Sequence, residues 1–139
     1  MQLRIGLSKV FLLLGIGLGV HTLCFAQHMN ATDAPCQEPS TTVEEFSCFS
    51  KALTKTDTAL NEYYRRIQTL ETGEDLANLK TAQRLWIQFR DANCKAEYDL
   101  YAGGTAGPIV KLACIEAMTR HRTEELKTMY GWRLEKFGK

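Results

Sequence analysis

Apolar residues recur at helical spacing in three long segments of the chain, residues 41–70, 75–101 and 108–130. A short break that contains Gly73 separates the first two segments, and the glycine-rich stretch 102–108 separates the last two. No segment shows the sustained alternation of apolar and polar residues that is typical of a strand. Because a connection as short as the first joins antiparallel neighbours, the pattern predicts an all-α fold, an up-down-up three-helix bundle.

Local signals indicate where the predicted helices begin and end. Thr41 followed by Glu44 forms a capping box at the start of the first helix. Pro108 suits the first turn of the third helix, and Gly131 is its expected end. The predicted helical domain therefore spans residues 41–131, and residues 132–139 form a C-terminal tail.

Polar residues interrupt the predicted contact faces of the helices. If the helices pack along these faces, five polar side chains share one layer of the bundle: Asn61, Gln83, Arg90, Thr119 and Arg122. Buried polar groups must be paired, because an unsatisfied one costs about 1–3 kcal/mol. The favoured interpretation is a structural polar layer that fixes the register of the helices, and the alternative is a polar cleft that binds a ligand.

The first 26 residues have the layout of a secretory signal peptide. Two basic residues precede an apolar run at 10–20, which is shorter than the roughly 20 residues of a membrane-spanning helix. We expect cleavage after Ala26, no stable membrane span afterwards, and a periplasmic or secreted protein. An uncleaved anchor fits less well, and so does a lipoprotein cut before Cys24, because a leucine precedes that cysteine. Residues 27–40 then form a loose N-terminal arm, pinned at Cys36.

Four cysteines remain after cleavage, an even number that predicts two disulfides with three possible connectivities. We favour the two pairings that close short loops, Cys36–Cys48 and Cys94–Cys114. No metal site is expected, because the chain has no C-x-x-C pair and the remaining histidines, His28 and His121, lack the spacing of zinc ligands. No cofactor is expected either.

Composition and charge exclude several functions. A chain of 139 residues with 45% hydrophobic and 24% charged residues fits one soluble globular domain. The net charge of +1 argues against a nucleic-acid partner. We do not expect an enzyme, because the acidic pairs Glu44–Glu45 and Glu124–Glu125 diverge on a helix and His121 has no nucleophile at a known motif spacing.

One run of residues and three shorter motifs after it carry a family resemblance. The run is Gln83-Arg84-x-Trp86-x-x-Phe89-Arg90-Asp91-x-x-Cys94, and the later motifs are Gly103-Gly104, Ala113-Cys114 and Thr119-x-x-Arg122-x-x-Glu125-Leu126. In this order they resemble the lysozyme inhibitor LprI-like N-terminal domain family of exported bacterial proteins. The resemblance covers about residues 36–126 and implies inhibition of lysozyme, the wall-cutting glycosidase of host defence.

The glycine-rich connection and its flanks form the candidate partner-binding site, with six residues: Tyr98, Asp99, Tyr101, Gly103, Gly104 and Thr105. A Cys94–Cys114 bridge would constrain this loop and lower the cost of ordering it on binding. Thr105 and backbone N–H groups would donate hydrogen bonds to the two carboxyl groups of a lysozyme cleft. The expected function is therefore a binding protein that occludes that cleft. The alternative is an envelope protein–protein interaction module with another partner and no effect on lysozyme.

Overall fold

The structure, a computed structural model, describes residues 28–101 and 103–138. A short 3-10 turn at His28–Asn30 precedes three long helices, α1 (Thr42–Gln68), α2 (Gly73–Asp99) and α3 (Gly107–Phe137). The described residues contain no strand. The predicted all-α, up-down-up three-helix bundle is thereby confirmed.

The helices begin and end close to the predicted local signals. Thr41 is the N-cap of α1, and its hydroxyl oxygen accepts the backbone N–H of Glu44 at 3.2 Å. The Glu44 carboxylate accepts hydrogen bonds from the side chain and backbone N–H of Ser40, which lower the pKa of Glu44. Gly73 opens α2 with φ of +54°, a left-handed conformation that glycine adopts without steric cost.

Helix α3 is the centre of the bundle and packs against α1, α2 and the 3-10 turn. Buried apolar residues form two clusters at opposite ends of the molecule, and α3 contributes to both. The cluster beside the glycine-rich connection contains Ala34, Cys36, Phe49, Ile109 and Ala113. The cluster at the far end contains Leu60, Ile67, Leu79, Leu126 and Leu134.

Both predicted disulfides are present, Cys36–Cys48 and Cys94–Cys114. The first joins the N-terminal arm to α1, and the second joins α2 to α3 across the glycine-rich connection. Cys36 and Cys48 lie in or against the cluster that contains Ile109 of the first turn of α3. The two covalent bridges therefore hold the same end of the bundle.

The N-terminal arm is not loose, which corrects the prediction for its described part, residues 28–40. The backbone N–H and Nδ1 of His28 contact the Glu97 carboxylate at 3.2 and 2.7 Å. Asp33 accepts a hydrogen bond from Arg120 at 2.7 Å, and this bond lowers the pKa of Asp33. The arm packs against the helices because Ala34 is buried in the core and the contacts of His28 and Asp33 anchor it to α2 and α3.

Gly131 does not end α3, which continues to Phe137, so the predicted tail is helical over residues 132–137. A glycine inside a helix costs about 1 kcal/mol. The extra turns bury Leu134, which is 6% exposed, and full burial of a leucine contributes about 1.5–3 kcal/mol. Burial of Leu134 therefore outweighs the local signal from Gly131.

The predicted signal peptide, residues 1–26, lies outside the described residues. Within the part of the chain that the structure describes, no helix is both long enough and apolar enough to cross a membrane.

Candidate functional site

The six residues of the predicted binding site lie together where α2 ends and α3 begins. Gly103, Gly104 and Thr105 are exposed and form the outer part of the connection. The backbone N–H of Gly104 donates to the carbonyl of Tyr101 at 2.9 Å, and Gly103 has φ of +84°, a conformation that favours glycine. This turn presents Thr105 and the glycine backbone to solvent.

The two tyrosines of the site are partly buried, and the ring of Tyr98 packs against the start of α3. A Cβ atom added to Gly107 would lie 3.0 Å from Cε2 of Tyr98, so the glycine lets the tyrosine ring pack closely. The Lys111 ammonium lies 6.0 Å from the centre of that ring. Asp99 forms an exposed ion pair with Lys95 at 2.6 Å. Tyr98 therefore packs beneath the glycine-rich connection and supports it, and it offers little surface to a binding partner.

Sequence reasoning missed an apolar surface beside the loop. Thr105 and Pro108 line a shallow depression of about 270 Å³ together with Val43 and Phe46 of α1. Val43 is 79% exposed and Phe46 is 46% exposed. The two positions belong to the first turns of α1, and only the packing of α1 beside α3 brings them to the glycine-rich connection. We call the loop residues 103–105 with Val43, Phe46 and Pro108 the glycine-loop end.

The glycine-loop end also carries the N-terminus of α3. Ala106 is the N-cap residue and offers no side-chain hydrogen bond to the first turn, and Pro108 has no N–H. The partial positive charge of a helix N-terminus favours nearby carboxylates. The N–H groups of Ile109 and Val110 already donate to the Ala106 carbonyl, so this end offers an acidic group the helix dipole and the exposed Thr105 hydroxyl.

Four of the five residues predicted to form a polar layer meet in the contact between α2 and α3. Nη1 of Arg90 donates to the buried Thr119 hydroxyl at 3.4 Å, and Nε of Arg122 donates to the Gln83 amide oxygen at 3.2 Å. The guanidinium carbons of Arg90 and Arg122 lie 5.2 and 5.7 Å from the centre of the Trp86 ring. Such cation–π contacts contribute roughly 0.5–2 kcal/mol each.

Asn61 is not part of this layer, which corrects the prediction for that residue. Its side chain is exposed and donates to Asp57 of the same helix at 3.0 Å. Asn61 lies next to the buried Leu60, and adjacent residues of a helix point about 100° apart, so the asparagine faces solvent. The polar layer consequently belongs to the contact between α2 and α3.

One cluster that the sequence did not indicate has the composition of a metal site. Potential ligand atoms of His28, Glu97 and Cys114 lie within 4.8 Å of one another. Cys114 is bonded to Cys94, however, and a metal-binding cysteine must be a thiolate. With the disulfide formed, the cluster offers only an imidazole and a carboxylate, which already pair with each other.

Comparison with known proteins identifies one family. The family model described as lysozyme inhibitor LprI matches residues 33–126, which include both disulfides and the whole glycine-rich connection. An uncharacterized protein of Rhizobium meliloti (strain 1021) is 28% identical over 122 residues, a match that covers 77% of this chain and 88% of the relative. No solved structure matches the chain.

Proposed function

The chain belongs to the lysozyme inhibitor LprI family, and from this we propose that it is an exported protein that inhibits lysozyme by occluding the enzyme's cleft with the glycine-loop end. The observation that carries the choice of this end is the position of the two disulfides. Both bridges, together with the packed N-terminal arm, hold the glycine-loop end.

Covalent constraint favours binding because an ordered loop has less conformational entropy to lose. Ordering an interface costs about 0.5–1.5 kcal/mol for each side chain that becomes immobile. The Cys94–Cys114 bridge and the close packing of Tyr98 on Gly107 already restrict the connection in the free protein. The far end of the bundle has no disulfide among the described residues.

The chemistry of the glycine-loop end complements the cleft of a glycosidase. Such a cleft contains two carboxyl groups that flank the scissile bond. The exposed Thr105 hydroxyl supplies a hydrogen-bond donor for those groups, and the N-terminus of α3 adds partial positive charge. Val43 and Phe46 supply the apolar surface that would displace water from the sugar-binding subsites.

Export supports the same proposal. Two disulfides in a small domain indicate an oxidising compartment, as expected for a periplasmic or secreted protein. We propose that residues 1–26 are the signal peptide that directs this export. The proposed role is binding and not catalysis, and it requires neither metal nor cofactor.

The test is inhibition of wall lysis. The full-length sequence is expressed in a bacterial host, the oxidised protein is purified from the periplasm, and it is titrated into chicken-type and invertebrate-type lysozymes acting on cell walls. We expect near-stoichiometric inhibition of one class. Phe46→Asp should weaken inhibition by at least about tenfold, whereas Trp132→Asp, a change of an exposed aromatic residue at the far end, should not.

Two results would contradict the proposal. Full inhibition by the Phe46→Asp variant would exclude the glycine-loop end as the contact surface. Failure to inhibit either lysozyme class would favour the alternative, an envelope interaction module with another protein partner.

A further inference from the structure

The outer face of α2 carries an apolar stripe that no other part of the described chain covers. Its members step by three and four residues and are all exposed: Ala82, Leu85, Phe89, Ala92 and Ala96. Leu85 is 57% exposed and Phe89 is 61% exposed. We call these five residues the outer seam.

The outer seam lies on a flank of α2, roughly 120° around the helix from the residues that contact α3. Leu79, Gln83 and Cys94 are buried on the inner side, and Trp86 and Arg90 join the polar layer there. A surface helix with one partner usually has a polar outer face. Alternating steps of three and four apolar residues are instead the pattern of a seam between two packed helices.

We propose that the outer seam binds a second copy of this chain, with the two α2 helices antiparallel. The seam is self-complementary in that arrangement. With the two-fold axis at residue 87, Leu85 packs against Phe89 of the second copy and Ala82 against Ala92. Small residues beside the large pair allow the helices to approach closely, since the distance between helix axes depends on the side chains at the contact.

Charge favours a second copy over a charged partner. Two identical surfaces carry identical charges, so a face with charges of one sign would repel its own copy. The positions that flank the centre of the seam are uncharged: Thr81, Trp86, Gln88 and Asn93. Without the two basic residues of the signal peptide, the exported chain has 15 basic and 16 acidic residues, a net charge of −1 that is too small to oppose association. Asp75 and Asp99 would face each other beyond the seam, so the contact ends at Asn78 and Ala96.

The size of the seam predicts a weak dimer. Residues 78–96 span about 27 Å of helix, and a helix with its side chains is about 10 Å wide. The resulting footprint of roughly 300 Å² per copy, or about 600 Å² for the pair, is smaller than a stable specific interface and fits only a transient contact. We expect a dissociation constant in the micromolar range and a monomer–dimer equilibrium at ordinary laboratory concentrations.

The proposal does not depend on lysozyme inhibition. If both proposals hold, the antiparallel arrangement places the two glycine-loop ends at opposite ends of the dimer, because each lies where its own α2 ends. One dimer would then bind two partner molecules.

Sedimentation equilibrium of the oxidised, exported protein between about 5 and 500 µM tests the association. We expect the average mass to rise from one chain towards two with concentration. Phe89→Glu should raise the dissociation constant by at least about tenfold. Trp132→Glu is the matched control, because Trp132 is 59% exposed and lies on α3, and it should leave the constant unchanged. Circular dichroism establishes that both variants are folded. A monomer at every concentration, or equal effects of the two variants, would overturn the proposal.

Cysteine cross-linking tests the antiparallel register and does not rely on a destabilising change. Ala82→Cys and Ala92→Cys are prepared separately, and we expect a cross-linked dimer only when the two variants are mixed. In this register, the introduced cysteine of one chain lies about 15 Å along the helix axis from the same cysteine of a second, identical chain, too far for a cross-link. Cross-linking of each variant with itself would show a different arrangement and overturn the antiparallel seam.

Discussion

Removal of the Cys94–Cys114 bridge should destabilise the protein by about 3 kcal/mol. The bridged residues are 20 positions apart, and the loop-closure entropy of an unfolded chain of that length gives about 3 kcal/mol at 25 °C. Both cysteines are completely buried. Alanine is therefore the better replacement, since serine would add two buried hydroxyls at a cost of about 1–3 kcal/mol each if unpaired.

The assay is urea denaturation of the Cys94→Ala/Cys114→Ala variant, followed by circular dichroism. A loss of 3 kcal/mol is a large share of the 5–15 kcal/mol that stabilises a typical domain, and it should lower the melting temperature by about 10 °C. The matched control is the Cys36→Ala/Cys48→Ala variant. Its bridge spans 12 positions, so the logarithmic dependence on length predicts almost the same loss.

The two disulfide variants should lose similar stability, but they should differ in how strongly they inhibit lysozyme. Measured at a temperature where both variants are folded, the Cys94→Ala/Cys114→Ala variant should inhibit more weakly, because its bridge spans the glycine-rich connection directly. A stability loss below about 1 kcal/mol would refute the entropic calculation. Equal inhibition by this variant and the wild type would refute the claim that the bridge prepares the loop for binding.

Three further changes test the fold. Arg90→Leu should lower the free energy of unfolding by about 1–3 kcal/mol in urea denaturation, because the buried Thr119 hydroxyl loses a donor. Inhibition of lysozyme should stay unchanged, and a folded variant that no longer inhibits would make Arg90 a binding residue. Leu134→Ala should cost about 2–5 kcal/mol in thermal unfolding, and a loss under about 1 kcal/mol would mean that the last turns of α3 do not pack. Folding lowers the pKa of Asp33, so this carboxylate stabilises the folded protein. The stabilisation is complete at pH values above the pKa of the unfolded chain, about 3.9, and it is lost as the pH falls through the lower pKa of the folded protein. Asp33→Asn should flatten the fall in the free energy of unfolding between pH 5 and 2, measured by urea denaturation. The difference should be under about 1 kcal/mol because Asp33 is half-exposed, and an unchanged pH slope would contradict this prediction.

Features that depend on residues close in the sequence could be predicted from it. The Thr41 capping signal, the Gly73 break and the short-loop disulfides depend on neighbours within about twenty positions, and the structure confirms them. Helical spacing also places the four polar residues on the facing sides of α2 and α3, where the structure brings them together in two hydrogen-bonded pairs.

Features that depend on distant contacts could not be predicted. The length of α3 is set by Leu134, whose burial requires leucines of α1 and α2. The order of the N-terminal arm requires Arg120 and Glu97, which lie more than 60 positions away in the chain. The apolar part of the glycine-loop end requires α1 and α3 to lie side by side, so nothing local to Val43 or Phe46 marked them.

The run of residues that carries the family resemblance divides between the two faces of α2. Trp86, Arg90 and Cys94 face α3, where cation–π contacts, a hydrogen bond and a disulfide account for each of them. Phe89 lies in the same run but is 61% exposed, so packing within one copy of the chain does not account for it. Exposure of a large aromatic side chain leaves apolar area in water at about 25 cal/mol per Å², which association with another surface recovers. Phe89→Tyr is the sharpest test of that interpretation, because it keeps the ring and adds only a hydroxyl. The change should weaken the dimer and leave the stability of the monomer unaltered, whereas a loss of monomer stability would place Phe89 in the core.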